Sequence, residues 1–96
     1  MNSVQLLSQL SKFSADMRLA DSEVYFDTIT VQKKQIILDN RGDQPSITVG
    51  DAIELLSKQT SPKSIWIITS CDKVPAAYIK SNDYEGESYI QFYTES

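Results

Sequence analysis

The 96-residue chain has no histidine. That absence removes imidazole acid–base catalysis, Ser-His and Cys-His nucleophile pairs, and nearly every transition-metal site. Cys71 is the only cysteine, so no internal disulfide is available. A secreted domain of this size more often carries several cysteines, and the expected compartment is a reducing cytoplasm. The three glycines, Gly42, Gly50 and Gly86, stand far apart and build no phosphate-cradling loop. The longest purely apolar run is Ile65-Trp66-Ile67-Ile68, against the roughly 20 residues a membrane span needs. The first ten residues lack a basic, then continuously apolar, export signal, and Tyr-Thr-Glu-Ser at the end matches no lipidation or retention signal. Basic charge is also scarce. Nine Lys and Arg against thirteen Asp and Glu give a net charge of −4, the wrong sign for displacing counterions from nucleic acid. The bases are interspersed, so the acidity is too diffuse for a DNA mimic.

What remains is ordinary globular material. A 41% apolar and 23% charged composition fits one soluble domain over residues 1–96, with a core that needs no metal or disulfide.

Leu6, Leu10, Phe13 and Met17 recur at helical spacing, with Leu7 widening the stripe, and predict an amphipathic helix over 3–19. Asn2 and Gln5 form its capping box. Residues 23–39 read as a hairpin: Tyr25 to Val31 is rich in β-branched and aromatic types, Gln32 to Gln35 turns, and Ile36-Ile37-Leu38 returns. A two-residue loop at Lys33-Lys34 sets Val31 opposite Ile36 and Ile29 opposite Leu38. Asn40 to Pro45 is dense in turn formers. A second helix is expected over about 49–59, capped by Thr48 with Asp51 at N3, burying Val49, Ala52, Ile53 and Leu56. The last third reads as a meander of Ile65–Thr69, Ala76–Lys80 and Tyr89–Thr94, with a polar loop over 82–87. The expected class is therefore α+β in the order α-β-β-α-β-β-β, with a mainly antiparallel sheet and helices on at least one face.

Setting Ser70 opposite Pro75 and Ser81 opposite Ser88 gives that meander two unlike faces. One carries Trp66, Ile68, Ala77, Ile79, Ile90 and Phe92 and is assigned to the core. The other carries Ile65, Ile67, Tyr78, Tyr89 and Tyr93 with Lys80 and Gln91. That mixture is too apolar for water and too polar for a deep core, which is the character of an interface. The alternative is a third layer, in which one of the helices covers this face.

Other signals carry less. Cys71 lies beside Lys73 but has no histidine to activate it. The acidic loop Asp83 to Glu87 does not follow EF-hand spacing; with Glu95 it leaves residues 83–96 with four acids and no base. Arg41-Gly42-Asp43 reads as a turn. Glu23, Asp27 and Asp39 are loose candidates for carboxylate catalysis. The expected function is non-catalytic, with no cofactor, no metal, no nucleic acid and no membrane. It is a protein-interaction module working as a homodimer or as a binding or inhibitory partner through the aromatic sheet face. A small-molecule cavity between sheet and helix, lined by Trp66, Phe26, Phe92 and tyrosines, is the second reading.

Overall fold

Both helix starts follow directly from their caps. In the computed structural model, which describes residues 1–22, 24–70 and 72–95, α1 spans Ser3–Leu10 and α2 spans Val49–Ser57. The Asn2 side chain accepts from the Gln5 N–H at 2.9 Å while the Gln5 side chain accepts from the Asn2 N–H at 2.9 Å. Thr48 and Asp51 make the same reciprocal pair at 3.2 and 3.1 Å. Each box satisfies N–H groups that the helix itself leaves unpaired.

The expected first helix is cut short. It ends at Leu10, and Arg18–Asp21 forms strand β1 instead. The serines of this stretch hold a helix weakly, and tertiary hydrogen bonds take over. Met17 O accepts from Val49 N at 2.7 Å, Ala15 O from Gly50 N at 2.9 Å, and Ile47 O from Leu19 N at 3.1 Å. Gly50 has no side chain at this approach, where a Cβ would meet Ala15 Cβ at 3.3 Å. Phe13 and Met17 still pack against the core, so their apolar spacing is used without the helix.

The expected strand from Tyr25 to Val31 is also divided. It becomes β2 (Val24–Tyr25) and β3 (Thr28–Val31), followed by β4 (Gln35–Asp39). Between β2 and β3, Phe26 is buried, donates its N–H to Leu19 O at 2.9 Å and accepts from Ile47 N at 2.8 Å. The chain leaves one ladder there and joins another at Thr28. The β3–β4 register is the expected one, with Val31 opposite Ile36 and Ile29 opposite Leu38.

After α2 come β5 (Ser64–Thr69), β6 (Asp72–Tyr84) and β7 (Glu87–Thr94). All seven strands form one sheet in the order β2-β1-β7-β6-β5-β4-β3. The two edge strands, β2 and β3, are separated in sequence only by Phe26 and Asp27. The sheet therefore curls on itself as a half-barrel. It is mixed rather than mainly antiparallel, because β1 lies parallel to β7 and β4 parallel to β5. The second of these pairs follows from α2, which crosses over between its two strands.

The inner face carries Leu19, Ile36, Leu38, Ile65, Ile67, Ile79, Ile90 and Phe92. These form one buried cluster with Leu6 and Leu10 of α1 and Val49, Ala52 and Leu56 of α2. Phe26 meets Phe92 edge to face at 5.6 Å, so two rings expected to line a cavity fill the core instead. A radius of gyration of 12.2 Å is that of a single compact domain of this length. No helix among the described residues is long and apolar enough to cross a membrane.

Candidate functional site

One inserted residue decides which side chains meet on the outer face. On β6 the partner of Ala76 is Thr94 and the partner of Tyr78 is Tyr93, so Ala77 is extra and the strand bulges. Side-chain alternation breaks at that point. Before the bulge, Val74 pairs with Ile67 and Pro75 with Trp66. After it, Ile79 pairs with Phe92 and Ser81 with Ile90.

The expected face is thereby split. Ile65 and Ile67 are 1% and 0% exposed, in the core, and are corrected from interface candidates to core residues. Trp66 and Ile68, expected in the core, are half-buried on the opposite face. Continuous alternation through Ala76 to Lys80 cannot anticipate this exchange. The registers also differ: Trp66, not Ser70, lies opposite Pro75, and Ser81 lies opposite Ile90 rather than Ser88. Those offsets are even-numbered, so Tyr78, Lys80, Tyr89, Gln91 and Tyr93 do share the outer face.

Around them the outer face is hollowed into a groove of about 720 Å³, lined by Tyr25, Tyr84, Tyr89, Tyr93, Asn82 and Gln91 with Glu85, Glu87 and Ser22 at its margins. Strand β1 brings β2 alongside β7 through the pairs Ala20–Gln91 and Ala20–Tyr25. Ala20 is small, and the larger neighbours stand over it as walls. Tyr25 and Tyr89 meet edge to face at 6.2 Å, and Tyr78 stacks on Tyr93 at 4.8 Å. At the far end, β6 and β7 are joined by Glu85 and Gly86, both with positive φ (50° and 83°). That is a tight primed turn rather than the expected longer loop.

Charge at the groove is organised by Arg18. Its guanidinium lies 3.2 Å from Glu87 and 5.3 Å from the centre of the Tyr25 ring. Burial, then the neighbouring Glu87 carboxylate, raises the Tyr25 phenol above its ordinary pKa, with Arg18 opposing. Lys80 stands over Tyr78 at 5.7 Å, outside the groove. Asn82 donates to the Tyr93 hydroxyl at 3.0 Å, and the 6%-exposed Gln91 donates to Phe92 O at 2.9 Å.

Tyr25, Tyr84, Asn82, Glu85, Glu87 and Arg18 were not among the residues singled out for this face. Tyr25 belonged to an expected long strand, Arg18 to an expected helix, and the others to an expected solvated loop. The one usable signal was Glu85-Gly86 between alternating stretches, which is short-hairpin spacing.

Among the described residues, the carboxylate candidates Asp27 and Asp39 are each engaged by other groups. Asp27 is buried, accepting from Arg41 N at 2.8 Å, Gly42 N at 2.7 Å and the Thr28 hydroxyl at 2.8 Å. The Arg41 N–H above all, helped by Thr28 and Gly42, outweighs desolvation and holds its carboxyl below the ordinary range. Asp27 is thus an anchor for the Asn40–Gln44 turn, where Gly42 adopts φ 79°. Asp39 lies 3.5 Å from Arg41. Glu23 and Cys71 lie outside the described residues. No protein-family model, curated protein or solved structure matches this chain.

Proposed function

We propose that the protein is a non-catalytic interaction module whose working surface is the outer face of β6, β7, β1 and β2, centred on Tyr89 and Tyr93. The observation that carries this reading is the tyrosine groove itself. Half-exposed aromatic side chains with polar tips are the groups that give protein interfaces their central binding energy. Here they line a concavity instead of filling the core.

A second protein is a better occupant than a second copy. Among the described residues the groove lining carries Glu85 and Glu87 and no lysine or arginine, so a basic partner complements it better than a second, like-charged copy of the same surface. A cytoplasmic setting, with its single cysteine kept reduced, belongs to the same reading.

The test places a photoreactive benzophenone side chain at Tyr78, which is 45% exposed beside the groove, and at Val4 on α1, which is 57% exposed, for comparison. Expected is a defined heterologous adduct from position 78 that position 4 does not give, and that is lost in Tyr89→Ala. Equal products from both positions would refute the assignment. An adduct of twice the chain mass, matched by a dimer in sedimentation, would replace the foreign partner with a homodimer.

A further inference from the structure

We propose that the groove between Tyr25, Tyr84, Tyr89 and Tyr93 receives an arginine side chain from an extended basic segment of a partner protein. This rests on the interaction reading above and assigns its recognition chemistry.

Among the polar groups left over in the groove are two amide carbonyl oxygens with no donor among the described residues, beside the second N–H of each amide and the tyrosine hydroxyls. Gln91 commits one amide N–H to Phe92 O, and Asn82 commits one to the Tyr93 hydroxyl. Among the described residues no hydrogen bond reaches either amide oxygen. Glu85 adds a carboxylate with no cationic partner among the described residues, and Glu87 adds one shared with Arg18. A guanidinium offers five N–H donors and no acceptor, in a planar fork that also lies flat on aromatic rings.

The walls suit that plane. Tyr25 and Tyr89 stand at 86° to one another, so a cation is held best over the electron-rich face of one ring with the hydroxyl oxygen of the other, not its positive edge, as the second contact. The chain already shows the arrangement once: Arg18 is held by Glu87 on one side and the Tyr25 face on the other. An arriving arginine would repeat it with Glu85 and the inner tyrosines. The groove, at about 720 Å³, exceeds one side chain and leaves space for flanking residues of an extended segment.

Glu85 is also held at φ 50°, a position where Asn or Gly sits with less strain.

The test is an NMR titration of the whole 96-residue chain with a capped Gly-Gly-Arg-Gly-Gly peptide, its citrulline and lysine counterparts, and free arginine. Expected are shifts of the Gln91 and Asn82 side-chain amides with the arginine peptide. Citrulline, which keeps the shape and loses the charge, binds roughly ten-fold more weakly, as does Glu85→Gln with the arginine peptide. Glu85→Gln keeps the unmodified chain's thermal midpoint. Equal binding of citrulline or lysine, or shifts confined to other surfaces, overturns the inference. Free arginine binding as tightly as the peptide would assign the groove to a small guanidino solute and also overturn it. If the arginine peptide fails while the Tyr78 cross-link persists, the interaction reading stands and the guanidinium assignment falls.

Discussion

Glu85→Asn is expected to stabilise the fold while weakening the groove. Glu85 and Gly86 are the two central residues of the β6–β7 turn, with φ of 50° and 83°. An L-residue with a long side chain spends about 1–2 kcal/mol in the left-handed region. Asn tolerates it far better, because its short amide bonds to the local backbone, and it avoids the entropy loss that Gly would add. The Glu85 side chain is exposed and makes no ion pair among the described residues, so little is lost in exchange. The net gain is about 0.5–1 kcal/mol. For a domain of this size that corresponds to a rise of roughly 2–8 °C in Tm. Thermal unfolding followed by circular dichroism reads this, with urea unfolding checking that the midpoint moves at constant slope. Glu85→Gln is the control, since it removes the charge and keeps the backbone strain. A Tm for Glu85→Asn at or below that of the unmodified chain refutes the argument. An equal rise in Glu85→Gln also refutes it, because relief among Asp83, Glu85 and Glu87 would then be the cause.

Three further outcomes follow from the packing and the caps. Ile67→Ala, at a 0% exposed position, is expected to lose about 2–5 kcal/mol by urea unfolding, whereas Tyr78→Ala on the outer face loses far less; equal losses would contradict the placement of the bulge. Thr48→Ala removes the cap of α2 and is expected to cost about 1 kcal/mol, with Thr48→Asn largely retaining it. Asp27→Asn is expected to lower Tm at neutral pH. Because the folded carboxyl is held below its ordinary value, its stabilisation is complete above the unfolded pKa of about 4 and disappears as pH falls through the folded value. The difference in Tm between the two proteins should therefore close across that acid range, and a constant difference at about pH 2 would show that the carboxylate's charge is not the cause.

Local signals in the sequence were specific where local chemistry decides the structure. The Asn2–Gln5 and Thr48–Asp51 boxes fix where the helices begin, and the alternation around Lys33-Lys34 fixes the β3–β4 register. Each is settled within a few residues. The failures lie where distant backbone competes. Residues 11–19 have helical apolar spacing, yet Met17 O and Ala15 O are claimed by the start of α2, and beyond Ser11 the chain makes only isolated tight turns such as Met17 N to Ser14 O. Phe26 and Asp27 look like the middle of a strand. What divides them is a core position for the ring and a loop waiting for the carboxylate, and neither partner is near in sequence. Tyr78, Tyr89 and Tyr93 fall on one face as the alternation predicts, because errors of two residues in register preserve the side of the sheet. Their grouping with Ile65 and Ile67 failed because one inserted residue does not.

That insertion ties the core to the groove. Were Ala77 taken up by regular alternation instead of a bulge, a β6 that keeps Val74 and Ala76 with Ile65 and Ile67 would turn Tyr78 and Lys80 inward and Ile79 outward. The same alternation would have to place either the tyrosines or the isoleucines in the wrong medium. The bulge lets the first half of β6 match β5 and the second half match β7, each with its apolar side chains inward. It also turns the strand locally, since bulges increase twist, which favours a sheet that curls until its edges are joined by Phe26 and Asp27. Curling brings β1 and β2 round beside β7, and only then does Tyr25 reach Tyr89 and Arg18 reach Glu87. The outer tyrosines and the acceptors between them are thus a consequence of how the core is closed. Substitutions at Ala77 are expected to act on the groove and on stability together, whereas those at Glu85 separate the two.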